Sequence, residues 1–372
     1  MSQITITQVK TRILELPVKA VHSHGSGDVA KMKTVVVQID TDAGITGYGE
    51  ASPWSVFTGT AEANAAALDV YYKPFLLGAD PFEIERLLFL AEREVVHCTE
   101  ARAALETALL DIKGQALGCS ISDLIGGSCH GEIPLSFSVA NPDFDEDLET
   151  IEALVEDGLR IFKLKTGFTD HQFDVMRLET LREKYGDMLD LRVDYNQGMQ
   201  PFESIRRIQD LIPFSPTFVE QPVMTRERRA LSEIAKAVDC PVMADESVFD
   251  VQNALEMIRL GGVRIFSLKI MKSGGIRRCQ EVAAAGRAAG IACYGGCMFE
   301  TGIAHAAGAH LMNSIPHLTL GCEFYMANYY LEEDVLAAPF PAVNGKVVVP
   351  TGPGLGVTPA PDLLKKYTVA EF

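Results

Sequence analysis

Alternating apolar and polar positions near the start of the chain predict β-strands. Residues 3–16 and 33–40 alternate in the way that half-buried strands do. The turn residues Asp42-Ala43-Gly44 separate the second of these segments from a third, Ile45–Glu50, which continues the strand pattern. Short connections between neighbouring strands favour antiparallel pairing, so the pattern predicts an antiparallel meander.

Helical periodicity replaces the strand pattern after this meander. The segments with this periodicity are residues 60–77, 81–95 and 99–117. The last segment places small and branched apolar residues on one face, and Gly118 follows its end as a helix-terminating residue. Together with the meander, these helices predict an N-terminal α+β domain over residues 1–125.

A different pattern, short apolar runs alternating with helical stretches, begins near residue 133. The runs are Leu135–Val139, Ile161–Lys165, Leu191–Asn196, Thr217–Glu220, Pro241–Asp245, Arg264–Lys269, Ile291–Gly295 and Leu318–Glu323. Continuously apolar strands joined by helices predict a parallel sheet, and eight such units predict a closed (β/α)8-type TIM barrel over residues 126–330. An open doubly wound sheet is the alternative, but no G-x-G-x-x-G follows a strand and opens a helix.

The remaining residues, 331–372, form a C-terminal segment with one further strand candidate, Lys346–Val349. A stretch rich in glycine and proline, Thr351–Pro359, follows it. We expect this segment to leave the barrel and pack back on the N-terminal domain.

Composition narrows the class of protein and its partners. The chain of 372 residues is 47% apolar and 22% charged, which is typical of folded globular proteins. Its 33 basic and 50 acidic residues give a net charge of −17. Because such a surface repels phosphate backbones and anionic lipids, we expect no nucleic acid and no membrane partner.

The distribution of cysteines and apolar runs indicates the cellular compartment. No apolar run approaches the roughly 18–20 residues that a membrane helix needs, and the N-terminal residues lack the pattern of a secretory signal. The eight cysteines are scattered and form no zinc-type pair of C-x-x-C motifs. We therefore expect reduced thiols and a cytoplasmic location.

Acidic residues end three successive predicted barrel strands, where barrel enzymes build their active sites. Asp194, Glu220 and Asp245 each follow an apolar run. A single carboxylate of this kind is better explained by a structural ion pair or a strand end in water, but three at equivalent positions favour a metal site. Hard oxygen ligands suit Mg²⁺, with Mn²⁺ as the alternative.

Lysines form the second candidate group. Lys163 and Lys165 are two residues apart on one strand, so their side chains point to the same side. Repulsion between them and a nearby metal would lower the pKa of a lysine, as proton transfer requires. Lys269 ends the sixth strand, across the barrel from the second, whereas Lys272 in the next loop is expected to be solvated. These lysines and the metal are expected to supply positive charge for an anionic substrate.

These motifs resemble the enolase superfamily, and within it the muconate lactonizing enzyme (muconate cycloisomerase) subgroup of the mandelate racemase/muconate lactonizing enzyme family. The matching segments are Phe162–Lys165, Arg192–Gln197, Val219–Pro222, Met243–Ser247, Leu268–Gly275, Tyr294–Glu300 and Gly321–Glu323. The meander and the tail also resemble the capping domain of this family. The resemblance implies a modified (β/α)7β barrel, a small-molecule carboxylate substrate and a homo-oligomer, commonly a dimer or an octamer.

The resemblance also implies roles for particular residues. It makes Asp194, Glu220 and Asp245 the Mg²⁺ ligands of an enzyme that stabilises an enolate. It makes Lys165 the acid/base lysine, Lys163 its supporting neighbour and Lys269 the lysine on the opposite face. In a cycloisomerase, one carboxylate of cis,cis-muconate adds across the conjugated double bond, and Lys165 protonates the resulting enolate. Further positions match polar or acidic residues around the metal and the substrate pocket: Asn196, Glu246, Glu300 and Glu323.

Substrate-specificity residues are expected outside this shared core. The loop Val21–Asp28 corresponds to a mobile loop that covers the substrate, where His22 and His24 are candidates to bind a distal carboxylate or are simply solvent-exposed. Trp54 in a second loop, Ser52–Phe57, predicts an apolar contact. Cys297 is expected to contact the substrate. It and Cys322 stand where cycloisomerases usually carry a small hydroxyl residue, so muconate is a hypothesis.

Other reactions remain open for the same site. Lysines on both faces also suit a racemase or epimerase of N-substituted amino acids, dipeptides or proline derivatives, although Gly321-Cys322-Glu323 lacks the Asp-x-Asp pair usual in dipeptide epimerases. A hydroxy-acid dehydratase is a further alternative, but Lys269 ends strand six where acid-sugar dehydratases often begin a His-Asp dyad. A non-enzymatic binding protein predicts a broken site, whereas every metal and lysine position is filled.

Overall fold

The computed structural model describes residues 4–24 and 27–372, without the side chains of residues 21, 22, 24 and 27–30. The strands are β1 (Ile6–His24), β2 (Gly27–Thr41), β3 (Thr46–Ala51), β4 (Glu132–Pro134), β5 (Ser136–Val139), β6 (Ile161–Lys165), β7 (Asp190–Asp194), β8 (Val219–Glu220), β9 (Val242–Ala244), β10 (Ile265–Leu268), β11 (Ala292–Gly295), β12 (Leu318–Cys322), β13 (Ala342–Val343), β14 (Lys346–Val348) and β15 (Thr368–Glu371). The α-helices are α1 (Ala61–Ala66), α2 (Lys73–Leu76), α3 (Ile84–Glu94), α4 (Thr99–Leu117), α5 (Ile121–Leu124), α6 (Phe144–Glu156), α7 (His171–Tyr185), α8 (Pro201–Leu211), α9 (Arg228–Ala237), α10 (Val251–Leu260), α11 (Ile270–Ser273), α12 (Ile276–Ala288), α13 (Gly302–Asn313) and α14 (Pro361–Tyr367). Shorter helical segments are of the π type (Ala67–Tyr72 and Met326–Tyr330) or the 3₁₀ type (Gly186–Met188 and Ile212–Phe214).

The N-terminal layer is an antiparallel sheet with α4 packed against it. The sheet order is β15-β1-β2-β3, which confirms the predicted meander and adds a fourth strand from the other end of the chain. Strand alternation puts Ile13, Val35 and Val37 on the face that packs in one core with α4, while Leu14 and Val36 on the other face are buried as well. Because Gly49 has no side chain, β3 lies directly against α4: a Cβ atom there would overlap the carbonyl of Ala104.

The predicted third helix is α4, and it ends as its sequence indicates. Gly118 caps it with a left-handed backbone, φ 68°, which glycine adopts without steric cost. Its predicted face, including Ala104 and Ala108, is buried against the sheet, and Ala103 on another side is buried too. A helix buried on more than one side lies between layers, and α4 separates the N-terminal sheet from the barrel.

Eight parallel strands form the barrel in the order β5 to β12. Each predicted apolar run overlaps one of them, and a parallel bridge between Leu135 and Cys322 joins the two edges. The barrel prediction is confirmed, and the open doubly wound alternative is wrong. Parallel register aligns Lys165 with Asp194 and Asp194 with Glu220, so these side chains share one level of the barrel.

The C-terminal segment connects the barrel to the N-terminal sheet. Strand β14, which overlaps the predicted Lys346–Val349, pairs with β13 and with β4, and β15 then pairs with β1. Within the described part of the chain, no helix combines the length and apolarity that crossing a membrane requires.

Candidate active site

Three carboxylates meet at the C-terminal mouth of the barrel. Asp194 ends β7, Glu220 ends β8 and Asp245 follows β9. Each is at most 1% exposed. The apolar residues beside them, such as Val193 and Val219, belong to the barrel core, which explains why ionisable groups follow apolar runs in the sequence. Buried charges of this kind require cationic partners.

Lys163 is the central cation of this cluster. Its Nζ lies 2.8 Å from Glu220 Oε2, 2.6 Å from Glu323 Oε2 and 3.5 Å from Asp194 Oδ2, and the side chain is fully buried. Burial alone would lower the pKa of Lys163, but Glu220 and Glu323 outweigh burial and hold this pKa well above its usual value. These carboxylates therefore hold Lys163 as an ammonium group, whereas a lysine pKa lowered by a nearby metal stays a prediction.

Lys165 lies closer to the cavity than Lys163. Its Nζ donates to Asp194 Oδ2 at 2.6 Å and to Asn196 Oδ1 at 3.0 Å. Asn196 in turn donates through Nδ2 to Glu246 Oε1 at 3.3 Å. Asn196 thereby orients the lysine, since its amide is held on both sides.

Two lysines that follow the neighbouring strand β10 hold Asp245. Lys269 Nζ is 2.5 Å from Oδ2, and Lys272 Nζ is 2.7 Å from both Oδ1 and the backbone carbonyl of Asp245. The expectation that Lys272 is solvated is wrong, because the α11 turn directs its side chain into the core. Burial alone would raise the pKa of Asp245, but the ammonium groups of Lys269 and Lys272 outweigh burial and hold this pKa well below its usual range.

The donor set is chemically suited to a divalent cation. Glu220 Oε1 is buried without a hydrogen-bond partner, and burial together with neighbouring Asp194 raises the pKa of Glu220 well above its ordinary value. A bound cation would give Glu220 Oε1 a partner and would stabilise the ionised form of this carboxyl group. Among the described residues, however, no three His, Cys, Asp or Glu side chains already form a metal-binding group, and lysine ammonium groups contact Asp194 and Glu220.

A small cavity of about 30 Å³ opens beside these charges. Lys165 and Lys269 reach it from strands β6 and β10, which lie four strands apart in the eight-stranded barrel. Asn196 and Glu323 add polar atoms to its wall, and the rest of the lining is largely apolar, including Met298, Met326 and Tyr325. Two lysines on opposite sides of one cavity can serve both faces of a bound carboxylic acid.

The segment after β11 forms one side of the cavity. Cys297 lines it, donates its backbone N–H to Glu323 Oε1 at 3.2 Å, and contacts the Glu323 carbonyl through Sγ at 3.1 Å. Burial raises the pKa of the Cys297 thiol well above its usual value, so it is not a ready nucleophile. Glu300 does not line the cavity. Its Oε1 accepts the Met298 N–H at 2.9 Å, and burial raises its pKa to about 8.

Loops of the N-terminal domain cover the mouth. The Trp54 ring meets Phe299 edge to face at 5.8 Å, and Lys269 Nζ lies 5.7 Å from the Phe57 ring. The β1–β2 hairpin also reaches the rim, where the Ser23 N–H donates to the Ala140 carbonyl just beyond β5. The predicted contacts of the His22 and His24 side chains lie outside the described residues.

Sequence reasoning missed two kinds of residue at this site: a buried lysine and several residues of the cavity wall. Lys272 carried a signal, since a second lysine three residues after Lys269 falls on the same helical face. Ser138, Phe299 and Tyr325 line the cavity but carried no chemical signal in the sequence. Only the folded arrangement shows their position.

Comparison with known proteins covers the whole chain. A family model described as "Enolase C-terminal domain-like" matches residues 146–363, and one described as "Mandelate racemase / muconate lactonizing enzyme, N-terminal domain" matches residues 3–126. Muconate cycloisomerase 1 of Rhodococcus opacus is 31% identical over 374 residues, covering 99% of this chain and 100% of its own.

Solved structures also match the chain over nearly its full length. Muconate lactonizing enzyme from Pseudomonas fluorescens, complexed with muconolactone, has a TM-score of 0.95 at 28% identity and covers 99% of this chain and 100% of its own. A muconate cycloisomerase from Azorhizobium caulinodans is 40% identical, with a TM-score of 0.87 and 99% coverage of both chains. N-succinyl Arg/Lys racemase from Bacillus cereus has a TM-score of 0.93 at 28% identity, covering 100% of this chain and 99% of its own. Because these matches span the N-terminal domain and the barrel from end to end, the chain is an enzyme of the mandelate racemase/muconate lactonizing enzyme family in the enolase superfamily.

Proposed function

We propose that this enzyme forms an enolate from a carboxylate substrate and acts as a muconate cycloisomerase. The observation that carries the proposal is the position of Lys165 and Lys269 on opposite sides of one cavity, next to buried carboxylates. The substrate itself is suggested by the names of the similar proteins from Rhodococcus opacus and Azorhizobium caulinodans.

Asp194, Glu220 and Asp245 are the proposed ligands of a divalent metal ion, Mg²⁺ or Mn²⁺. Their oxygen donors, their burial and the unpartnered Glu220 Oε1 support this assignment. When bound, the metal supplies positive charge next to the substrate carboxylate. Lys163 contacts both Glu220 and Glu323, and its positive charge offsets the repulsion between these two carboxylates.

Lys165 is the proposed proton donor. One carboxylate oxygen of cis,cis-muconate bonds to the far end of a conjugated double bond, and the electron pair of that bond shifts to form the enolate. Lys165 then transfers a proton from Nζ to the α-carbon, which completes the lactone. Asn196 orients Nζ for this transfer, and Lys269 places a second ammonium group on the other face.

A racemase of N-substituted amino acids is the second candidate. The two lysines suit removal of an α-proton on one face and its return on the other. The similarity to N-succinyl Arg/Lys racemase from Bacillus cereus supports this alternative. The cavity wall of Trp54, Met298 and Phe299 is compatible with either substrate class, since it offers apolar surface to the part of the substrate away from the metal.

The ultraviolet absorbance of cis,cis-muconate separates the two candidates. With Mg²⁺ present we expect the absorbance to fall as the diene is consumed, and no loss of signal would remove the cycloisomerase. In that case, deuterium incorporation at the α-carbon of N-acylamino acids in D₂O would support the racemase. If the enzyme neither consumes cis,cis-muconate nor incorporates deuterium into N-acylamino acids, both proposals are contradicted.

Two substitutions test the assigned roles. Lys165→Ala should lower turnover by about 10³-fold, since general acid–base catalysis contributes roughly 10²–10⁴-fold, while Lys184→Ala, at an exposed ion pair on α7, serves as the control. Asp245→Asn should weaken Mg²⁺ binding, which calorimetric titration measures directly. Full activity in Lys165→Ala, or unchanged Mg²⁺ binding in Asp245→Asn, would contradict the corresponding role.

We also propose a cytoplasmic homo-oligomer. All eight cysteines are free, which suits a reducing compartment. Large apolar side chains on the N-terminal domain, including Val70 and Phe89, are more than half exposed and are available to a second copy. Light scattering of the purified enzyme measures the mass, and a monomer at micromolar concentration would contradict this proposal.

A further inference from the structure

Two buried carboxylates of the N-terminal domain contact the barrel in the same manner. Glu106 of α4 accepts hydrogen bonds at the start of α12, and Glu50 of β3 accepts hydrogen bonds at the start of α13. Both are at most 2% exposed. These helices follow β10 and β11, the strands that precede Lys269 and Cys297. Each carboxylate therefore meets one loop of the candidate active site from behind.

Glu106 binds only backbone groups of its loop. Oε2 accepts the Ile276 N–H and Oε1 accepts the Arg277 N–H, the latter at 3.2 Å. The Arg277 side chain is paired with Glu85 instead. A carboxylate on the first free N–H groups of a helix stabilises that end through the helix dipole. The contact thus fixes the position of the first turn of α12 relative to α4.

The backbone leaves this contact little freedom. Gly275 has φ +129°, and a Cβ atom there would overlap Glu106 Oε2. The N–H groups of Gly274 and Gly275 donate to the Ile270 carbonyl at 3.0 and 2.9 Å. These hydrogen bonds connect the short helix α11 directly to the start of α12. The contact with Glu106 therefore fixes the backbone as far back as Ile270.

Lys272 lies within this segment, and Lys269 immediately precedes it, with its carbonyl accepting the Ser273 N–H at 3.2 Å. Both grip Asp245, with Nζ to oxygen distances of 2.5 and 2.7 Å. We propose that Glu106 is a positioning residue through which the N-terminal domain sets the geometry of Lys269 and Lys272 at the active site. It touches neither lysine, and it acts through the backbone from Ile276 to Ile270.

Glu50 provides a matched comparison on the neighbouring loop. It accepts the N–H groups of Thr301 and Ala304 at 3.0 and 3.1 Å, and the Thr301 hydroxyl at 2.6 Å. Its loop carries Cys297 and Phe299, which line the cavity, but no lysine. Loss of Glu50 should therefore disturb the cavity wall rather than the lysines.

Hydrogen exchange followed by mass spectrometry tests the proposal without any substrate. In Glu106→Gln, an amide N–H replaces one acceptor oxygen, so we expect amides of residues 269–277 to exchange at least tenfold faster while residues 297–304 keep wild-type rates. Glu50→Gln should show the reverse pattern. Glu106→Asp keeps both acceptor oxygens and tests the same contact if the Gln variant does not fold. Wild-type exchange over residues 269–277 in both Glu106 variants would overturn the proposal.

Kinetics with a substrate identified as above distinguish positioning from plain stabilisation. Glu106→Gln should lower kcat by about tenfold with KM within twofold of wild type, because a displacement of about 1 Å costs up to roughly 10²-fold and this variant should shift the lysines by less. Glu50→Gln should mainly raise KM. If each variant loses activity only in proportion to its loss of folded protein, Glu106 has no positioning role. If wild-type enzyme turns over none of the substrates, the proposed function fails while the exchange result still decides the role of Glu106.

Discussion

At the scale of single residues, the candidate site shows how buried carboxylates are neutralised without a metal. Four lysines at the mouth, Lys163, Lys165, Lys269 and Lys272, contact four carboxylates, Asp194, Glu220, Asp245 and Glu323. The expected excess of positive charge is therefore absent from the side chains alone. A metal ion is what would make this region favourable for an anionic substrate.

Replacement of Lys272 by methionine tests whether this balance stabilises the fold. Lys272→Met keeps the side-chain volume but leaves Asp245 Oδ1 and its carbonyl without their buried donor. We expect the free energy of unfolding of the metal-free enzyme to fall by about 3 kcal/mol, as when one partner of a buried ion pair is removed. Urea denaturation measures the loss.

A surface lysine provides the control for that substitution. Lys184, 42% exposed in its pair with Glu152, should change stability by no more than about 0.5 kcal/mol as Lys184→Met. Equal stability of the two variants would mean that Lys272 does not contribute to the balance of charge.

At the scale of elements, the distance between β3 and α4 determines how the N-terminal domain meets the barrel. Gly47 and Gly49 face the carbonyls of Ala108 and Ala104 so closely that neither position has room for a Cβ atom. The same strand carries Glu50 and the same helix carries Glu106. Close packing of these two elements therefore places both carboxylates against the barrel.

Substitution of Gly49 tests this packing. Gly49→Ala forces β3 away from α4, and we expect the free energy of unfolding to fall by about 3 kcal/mol, at the upper end of overpacking costs. Gly44→Ala is the control, since its surroundings are open and only the left-handed backbone, φ +72°, costs about 1–2 kcal/mol. Similar losses in the two variants would show that close packing at Gly49 is unimportant.

At the scale of the whole molecule, buried acids link stability to pH. Burial raises the pKa of Glu50, Glu106 and Asp147 to about 7 and that of Asp111 to about 6. A carboxyl group with a raised pKa in the folded state binds its proton more tightly there than in the unfolded chain. Its stabilising contribution is complete below the unfolded pKa and is lost as pH rises through the folded value.

Metal-free enzyme should therefore become less stable between pH 5 and pH 7.5. Each group contributes a slope of at most about 1.4 kcal/mol per pH unit, and we expect a total loss of roughly 3 kcal/mol or more in urea denaturation. Asp147→Asn removes one such group, whose carboxylate accepts the Asn141 N–H, and should flatten the curve. Stability that is constant or rising over this interval would contradict the raised pKa values.

The net charge of −17 makes a further prediction about substrate encounter. Because the overall field repels an anionic substrate, added salt should raise kcat/KM about threefold between low ionic strength and 0.2 M, where screening acts over about 10 Å or less. The value of kcat should not change, since chemistry follows binding. A fall of kcat/KM with salt would show instead that a local positive field at the mouth dominates the encounter.

Local periodicity in the sequence was sufficient to predict much of the architecture. Eight apolar runs predicted eight barrel strands because each strand buries a continuous stretch of neighbouring residues. The same local logic located Asp194, Glu220 and Lys165, since parallel register brings equivalent strand ends to one level. Gly118 likewise predicted the end of α4. The roles of these residues in metal binding and proton transfer stay predictions.

Only the tertiary structure decided how distant segments meet. Lys272 is buried because the α11 turn directs it toward Asp245, and its spacing from Lys269 does not by itself show whether the shared side faces solvent or the core. Glu106 lies 170 positions before the Ile276 N–H that it accepts, and its own helix shows no chemical motif. Sequence patterns report which side chains share a face of one element, whereas charge pairing and domain contacts depend on where separate elements pack.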